Sequence, residues 1–450
     1  MDTMTPHAEL RQRLAAANVR YLMASYVDMH GVPKAKMVPL PHLEHMLAGS
    51  ELFTGAALDG VPQVVSDDEV SARPDPASCT VLPWDPSVAW LASDLWLSGR
   101  PFESCSRGIL KRQMAAAAEL GYGFNLGMEA EFYVLGTDAD GNPVPLSQRA
   151  LSKPCYDALS VLDNMGWLDE LVSAMNDLGW DVYSFDQEDG LGQFEVDFTY
   201  ADAVTMADRF VFLRMMAGNI ARRHGAFASF MPKPYANRTG SGAHYNMSLA
   251  DLASGRNLFK TAEDPRGCGL SPLGYQFIAG VVRHLPAICA VVAPTVNSYK
   301  RLVKQGSMSG FTWAPIFACY GNNNRTNALR IPMGGGRVEL RSADSACNPY
   351  LGAAMVLAAG LEGIREDLDP GEPNRDNMYE ASEALLAERG IRQLPRTLGE
   401  AIDAFEADPL SKVVMGEAMF GAWLGYKRDE WLSYMAHVSE WETQRYLKFF

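Results

Sequence analysis

The sequence predicts an α+β protein, and three observations point there. Stretches with the 3.6-residue period of helices and stretches with the two-residue period of strands follow one another along the whole chain. Hydrophobic residues make up 48% and charged residues 21% of 450 residues, an ordinary globular balance. The length allows two or three domains at about 150 residues each, and the first hundred residues read as a small unit of their own.

The elements follow in order. Residues 6–17 form a short amphipathic helix with Leu10, Leu14 and Ala17 on one face. YLMASYVD (21–28) and KAKMVPL (34–40) read as strands around a turn at His30 and Gly31, and CTVLPWD (79–85) and AWLASDLW (89–96) as two more. A helix rich in Ala and Leu runs from Arg107 to Leu120 and stops at Gly121. GFNLGMEAEFYVLG (123–136) is a strand, and another covers Val196–Tyr200. Residues 205–225 form a helix ended by Gly225, and 350–364 a helix so apolar that it must be buried. From about 365 the chain is mainly helical. The boundary between the small unit and the large one falls near Arg100–Arg107, giving 1–104 and 105–450.

A net charge of −15 argues against non-specific binding to nucleic acid or an anionic membrane. It leaves anionic substrates open, since these need only a local cluster of arginines. The seven cysteines (Cys79, Cys105, Cys155, Cys268, Cys289, Cys319, Cys347) form no CxxC pair and read as reduced thiols of a cytoplasmic protein. The N-terminus lacks a basic region followed by an apolar one, so no secretory signal is expected. The longest apolar stretch, Leu285–Tyr299, contains two prolines and is too short to span a bilayer.

Four segments carry chemistry. Glu129 and Glu131 share a face of a strand, where two carboxylates repel unless a cation sits between them; a solvated strand face is the alternative. Glu188 and Glu195 bracket a glycine-containing loop, which could equally be an acidic turn. His244 follows Gly-Ser-Gly, a segment that permits close backbone approach, although a lone histidine is often structural. Arg301, Arg325, Arg330, Arg337 and Arg341 cluster in a protein of net negative charge. Arg337, Glu339 and Arg341 share one strand face. Such forks suit phosphate and carboxylate, or simply ion pairs. There is no GxxxxGK[ST] loop and no GxGxxG fingerprint, so a nucleotide would be held by metals and arginines.

Taken in order, GMEAEF, QED…GQFEV, FMPKP…GSGAHYNMSL, PTVNSYKRL, NRTNALRIP and RVELRSADSACNPYL resemble the glutamine synthetase family over roughly residues 20–445. The resemblance implies a β-grasp-like N-terminal domain and a catalytic domain on a curved antiparallel sheet. It implies two or more Mg²⁺ or Mn²⁺ ions per site. Glu131, Glu188 and Glu195 would hold the ion nearer glutamate, and Glu129, His244 and Glu339 the ion at the ATP phosphates. Arg301, Arg341 and Gly240 would bind glutamate, Arg325 and Arg330 would face the transferring phosphate, and Arg330, Arg337, Asn246 and Ser248 would lie at ATP. Asn246 replaces the family's histidine, and the loop between Glu188 and Glu195 is one residue shorter than the bacterial pattern. The implied reaction phosphorylates the glutamate γ-carboxylate and ligates an amine. The implied assembly is a homododecamer of two hexameric rings with sites between neighbours.

The amine pocket departs from the family. The FDGSS motif becomes FTGAA (53–57), with Thr54 and Ala57 in place of Asp and Ser, although Asp59 downstream is a competing counterpart. The flap RLVKQGSMSGFTWAP (301–315) has no acidic residue and carries Phe311 and Trp313 instead. Tyr156 matches the family's amine-site tyrosine. Less acidic and more apolar surface suits an alkylammonium, with its single methyl face, over ammonium. The pattern resembles the branch making γ-glutamylmethylamide from methylamine. Ammonia, or a polyamine or ethanolamine, are the alternative amines, and a non-enzymatic homologue is disfavoured by the complete ligand set. Tyr379 falls where the family carries an adenylylated tyrosine, but the residues after it differ and modification is not expected.

Overall fold

The computed structural model describes residues 6–147, 149, 151–307 and 310–450. In the N-terminal sheet, Tyr21–Val27 pairs antiparallel with Pro33–Pro39 and parallel with the 13-residue strand Asp85–Leu97. Asp28 makes the tight turn between the first two strands, its Oδ1 accepting from the His30 and Val32 amides at 2.9 Å each. Val70–Pro74 and Glu51–Phe53 extend the sheet on the other side. This mixed sheet agrees with the β-grasp-like expectation. The helix Pro6–Ala16 buries Leu10 and Leu14 against its outer face, whereas Ala17 lies beyond the helix and is exposed.

The large sheet runs Val182–Gln187, Gln193–Phe198, Tyr122–Thr137, Ala243–Asp251, Val338–Leu340, Leu329–Ile331, Tyr320–Asn322. Every pair along that path is antiparallel except the last, which is parallel. The two-residue period of Tyr122–Thr137 decides its orientation. Phe124, Leu126, Met128, Ala130, Phe132 and Val134 enter the main apolar core, so Glu129 and Glu131 face the opposite side.

Behind the sheet lie the helices Ala203–Arg223, Pro272–Val292 and Pro349–Arg365. The second of these was not foreseen, because Pro286 falls within it and breaks the sequence pattern. By length and composition it is apolar enough to cross a membrane, but 78% of its most apolar window is buried inside the fold. It packs closely against Pro349–Arg365. A Cβ on Gly280 would fall 2.0 Å from the Ala359 carbonyl oxygen.

The N-terminal sheet shares its inner face with the rest of the protein. Val27, Met29, Val88 and Trp90 belong to the same apolar core as the three helices. The buried Arg107 guanidinium bonds Asp208 through Nε and Nη2, both at 3.0 Å, and Asp94 and Asp75 at 2.9 Å each. Tyr350 donates to the same Asp208 at 2.6 Å. One cation thus ties two N-terminal strand segments to two helices.

The helix contact yields a paired test. Gly280→Ala should overpack the interface and lower the thermal midpoint by the equivalent of about 1–3 kcal/mol. Gly218→Ala, on Ala203–Arg223 where nothing lies within 4 Å, should be neutral or stabilising by about 0.5–1 kcal/mol. Equal midpoints for the two variants would refute the close-contact reading.

Candidate active site

Backbone register builds the site. Glu195 lies directly opposite Glu131, and Asp186 opposite Glu195. On the other side of the long strand His244 lies opposite Glu129, and one strand further Glu339 lies opposite both Asn246 and Arg330. Side chains on one face of four neighbouring strands therefore converge. The ligand atoms of Glu129, His244 and Glu339 lie within 4.8 Å of one another, as do those of Glu131, Glu195 and His244. Glu188 falls outside both groups, but the Glu131 charge acts on it.

Burial and mutual repulsion dominate the electrostatics. Desolvation, then Glu131 and Asp186, push the Glu188 carboxyl up to about 8. Desolvation, then Glu129 and Glu188, hold Glu195 well above the carboxylate range. Asp186 rises to about 6 by burial and Glu131, and Asp197 to about 7 by burial and Glu129. Burial, then Arg341, pull His244 down to about 3, so its imidazole is neutral and free to ligate. Burial, the largest single effect, would raise Glu339, but Arg341, His244 and Arg330 together outweigh it and hold that carboxyl below its ordinary value. Several carboxylates that protonate for want of countercharge, beside a neutral imidazole, form a donor set suited to hard divalent cations.

The arginines surround this cluster. Arg341 donates to Glu339 Oε1 and, at 3.3 Å, to the Arg325 and Trp313 carbonyls. Arg330 donates to Glu339 Oε2 at 2.5 Å and to Asn323 at 2.8 Å. Arg301 is buried against the Arg341 carbonyl at 3.0 Å and the Ser342 carbonyl at 3.2 Å, with Nη2 3.4 Å from His244 Nε2. The GSG segment passes so close that a Cβ on Gly242 would sit 2.7 Å from Arg301 and 2.8 Å from His244; no larger residue fits. Gly240 lies against Arg301 as well, and its carbonyl accepts from Gln193 at 3.0 Å. Arg337 is exposed and donates to Asn246 at 3.0 Å. Ser248 lies on the same strand face, two residues beyond Asn246.

The family described as glutamine synthetase, catalytic domain, matches residues 103–446. The chain belongs to the glutamine synthetase family. It is 42% identical over 449 residues to the glutamate–methylamine ligase of Methyloversatilis universalis, covering 99% of this chain and 100% of the relative. It is 39% identical over 427 residues to the glutamine synthetase of Rhizobium leguminosarum bv. phaseoli, covering 94% of this chain and 96% of the relative. Among solved structures, GmaS in complex with ADP matches with a TM-score of 0.90 at 39% identity, over 97% of this chain and 99% of that one. GmaS without ligand matches with a TM-score of 0.88 at 38% identity, over 98% and 99%. As a glutamine synthetase family member the chain is an ATP-dependent ligase that works with divalent cations.

The remaining family positions divide between the cluster and the periphery. Tyr156 is exposed with a positive φ of 63°, and the charges of Glu188, Asp186 and Arg325 act on it. Its phenol therefore stands at the acidic end of the site, and Arg325, also exposed, stands beside it. Thr54 does not join them: its hydroxyl donates to Glu69 at 3.2 Å, on the N-terminal sheet. Trp313 is half-exposed with φ 54°, while the Phe311 side chain lies outside the described residues. Tyr379 is buried, its hydroxyl donating to the Ala314 carbonyl at 2.6 Å, which leaves it no access to a modifying enzyme in this conformation. Asp197 and Gln193 were not foreseen. Asp197 was legible, since it stands two residues from Glu195 on a strand. Gln193, a buried hub that bonds the Gly240 and Thr239 loop and reaches Glu131 at 3.4 Å, left no sequence signal.

The raised carboxyls fix a pH dependence. A group whose folded pKa is raised stabilises the fold while protonated, and that contribution is lost as pH climbs through the folded value. The metal-free protein should therefore lose thermal stability between about pH 5 and about pH 8, the window set by Asp186, Asp197 and Glu188. Mn²⁺ should raise the midpoint more at the upper end and release protons on binding. Glu188→Gln should flatten the slope. A metal-free midpoint rising across that window, with no flattening in the variant, would contradict the assignment.

Proposed function

We propose that this chain ligates methylamine to the γ-carboxylate of L-glutamate at the expense of ATP, through a γ-glutamyl phosphate. The observation that carries the reading is the full-length likeness to the Methyloversatilis universalis glutamate–methylamine ligase. The pocket chemistry supports it: Thr54 and Ala57 replace an acid and a hydroxyl, and Trp313 offers half-exposed aromatic surface at the flap.

In this reading Arg301 and Arg341 grip the glutamate carboxylates beside the Gly240 loop, and Arg337, Asn246 and Ser248 meet the nucleotide. Glu131, Glu188 and Glu195 form one metal set, and Glu129, His244 and Glu339 the other. Mg²⁺ or Mn²⁺ bound there would offset charge on the phosphoryl oxygens. A γ-carboxylate oxygen attacks the γ-phosphorus and ADP leaves; Arg325 and Arg330 stabilise the phosphoryl charge. Methylammonium must shed a proton before it can attack. Glu188 and Tyr156, which act on each other at the acidic end of the site, are the residues proposed to orient it and receive that proton. The free amine attacks the acyl carbon and phosphate departs. Water must be excluded, because it would hydrolyse the acyl phosphate.

Thr54 bonds Glu69 in the N-terminal unit and none of the clustered carboxylates of its own chain, which supports a site completed by a neighbouring copy in a dodecamer of two hexameric rings. The division into 1–104 and 105–450 follows the two sheets. ATP and glutamate as substrates, with seven unpaired cysteines, support a cytoplasmic setting. Ammonia is the second reading, favoured by the Rhizobium likeness.

A panel of amines with glutamate and ATP decides between them. ADP release should depend on glutamate and be fastest, per kcat/KM, with methylamine; a preference for ammonia would overturn the proposal. Thr54→Asp with Ala57→Ser should lower the methylamine-over-ammonia ratio about tenfold, ~1.4 kcal/mol of differential transition-state binding. An unchanged ratio in an active double variant would place selectivity elsewhere. Glu131→Ala should abolish turnover rather than raise KM alone, and a near-normal kcat would remove Glu131 from the metal set.

A further inference from the structure

Asn246 occupies the position where the family carries a histidine, and both ends of its amide have partners within the protein. Nδ2 donates to Glu129 Oε1 at 2.8 Å, and Oδ1 accepts from Arg337 Nε at 3.0 Å. The two partners fix which way the amide points. A guanidinium only donates and an ionised carboxylate only accepts, so just one orientation satisfies both. The opposite residue on the long strand is Gly127, which leaves the Asn246 side chain room to reach diagonally to Glu129. The other oxygen of Glu129 lies 2.9 Å from His244 Nδ1. Each oxygen of that carboxylate is therefore pinned by a different residue, and its plane is set before anything binds. Arg337 lies at the exposed end of this chain of contacts.

We propose that Asn246 is a positioning residue that holds Glu129 in its metal-ligating orientation and is itself held by Arg337, so that the nucleotide-side arginine and the metal ligand act as one hydrogen-bonded unit. The inference rests on the reading of Glu129 as a metal ligand. Hydrogen-bonded partners behind a metal ligand typically control metal affinity by 10- to 100-fold, because they orient the ligand and tune its basicity. The arrangement also links the two halves of the ATP site. A nucleotide that engages Arg337 acts, through one amide, on the carboxylate at the metal.

The test is Mn²⁺ titration of the metal-stripped full-length enzyme by calorimetry, without nucleotide, beside steady-state kinetics. Asn246→Leu has similar volume and neither hydrogen bond. It should weaken Mn²⁺ binding about tenfold and raise the ATP KM, with the glutamate KM changed by less than about twofold. Asn246→His, with one ring nitrogen to donate and one to accept, should restore most of the affinity. Arg337→Leu changes an exposed residue and keeps the test informative if Asn246→Leu misfolds. Loss of a positive charge alone would strengthen cation binding, whereas loss of the Asn246 anchor should weaken it. Wild-type Mn²⁺ affinity in Asn246→Leu, or tighter binding in Arg337→Leu, overturns the proposal. Glu129→Gln separates the layers. If it weakens Mn²⁺ binding while Asn246→Leu does not, only the positioning role falls. If it leaves Mn²⁺ binding intact, the ligand assignment falls and the positioning role falls with it.

Discussion

Repulsion among carboxylates gathered on one face of a sheet is the constraint around which this protein is arranged. Strand register leaves no choice: with Glu131 opposite Glu195 and Glu129 opposite His244, the acidic groups meet whether or not a countercharge is present. Backbone hydrogen bonding and the apolar core on the far side hold the strands in that register. Sliding the long strand by a residue would turn Phe132 and Val134 toward the site and drive the acids into the apolar core. The hydrophobic effect thus confines the charges, and the unfavourable energy stored there is what a divalent cation relieves.

The surrounding residues manage that charge without removing it. Arg330 and Arg341 fasten to Glu339, which is drawn below its ordinary value despite its burial. Glu188 and Glu195, raised by burial and by the neighbouring carboxylates, are left high. The cluster is therefore graded, from an ionised end beside the arginines to a protonated end beside Tyr156. That gradient matches the division of labour in a reaction that moves phosphoryl charge on one side and a proton on the other.

Much of this was legible in the sequence, and the reasons are local. Glu129 with Glu131, and Arg337 with Glu339 and Arg341, are two apart on strands, so period two alone put each set on one face. The helices Arg107–Leu120 and 205–225, each stopped by a glycine, and 350–364, marked by its apolar composition, were bounded to within two residues. Pro272–Val292 escaped notice because it is apolar on nearly all sides and carries an internal proline. Gln193 escaped because its role depends on loops more than forty residues away, a tertiary fact that no window of sequence contains. Thr54 shows the converse: the resemblance implies an amine-pocket role, while within its own chain it follows a strand of the N-terminal sheet and bonds Glu69.

The shared core has a consequence for how the chain matures. The Asn348 side chain donates to the Asp28 and Met29 carbonyls, 320 and 319 residues away in sequence, and Arg107 reaches Asp208 across 101. The inner face of the first sheet is therefore completed in stages, Trp90 by Phe212 from mid-chain and the Asp28–Met29 turn by Asn348. During synthesis the earliest hundred residues wait for partners made more than a hundred and then more than three hundred residues later. The segment that emerges first is not secured first.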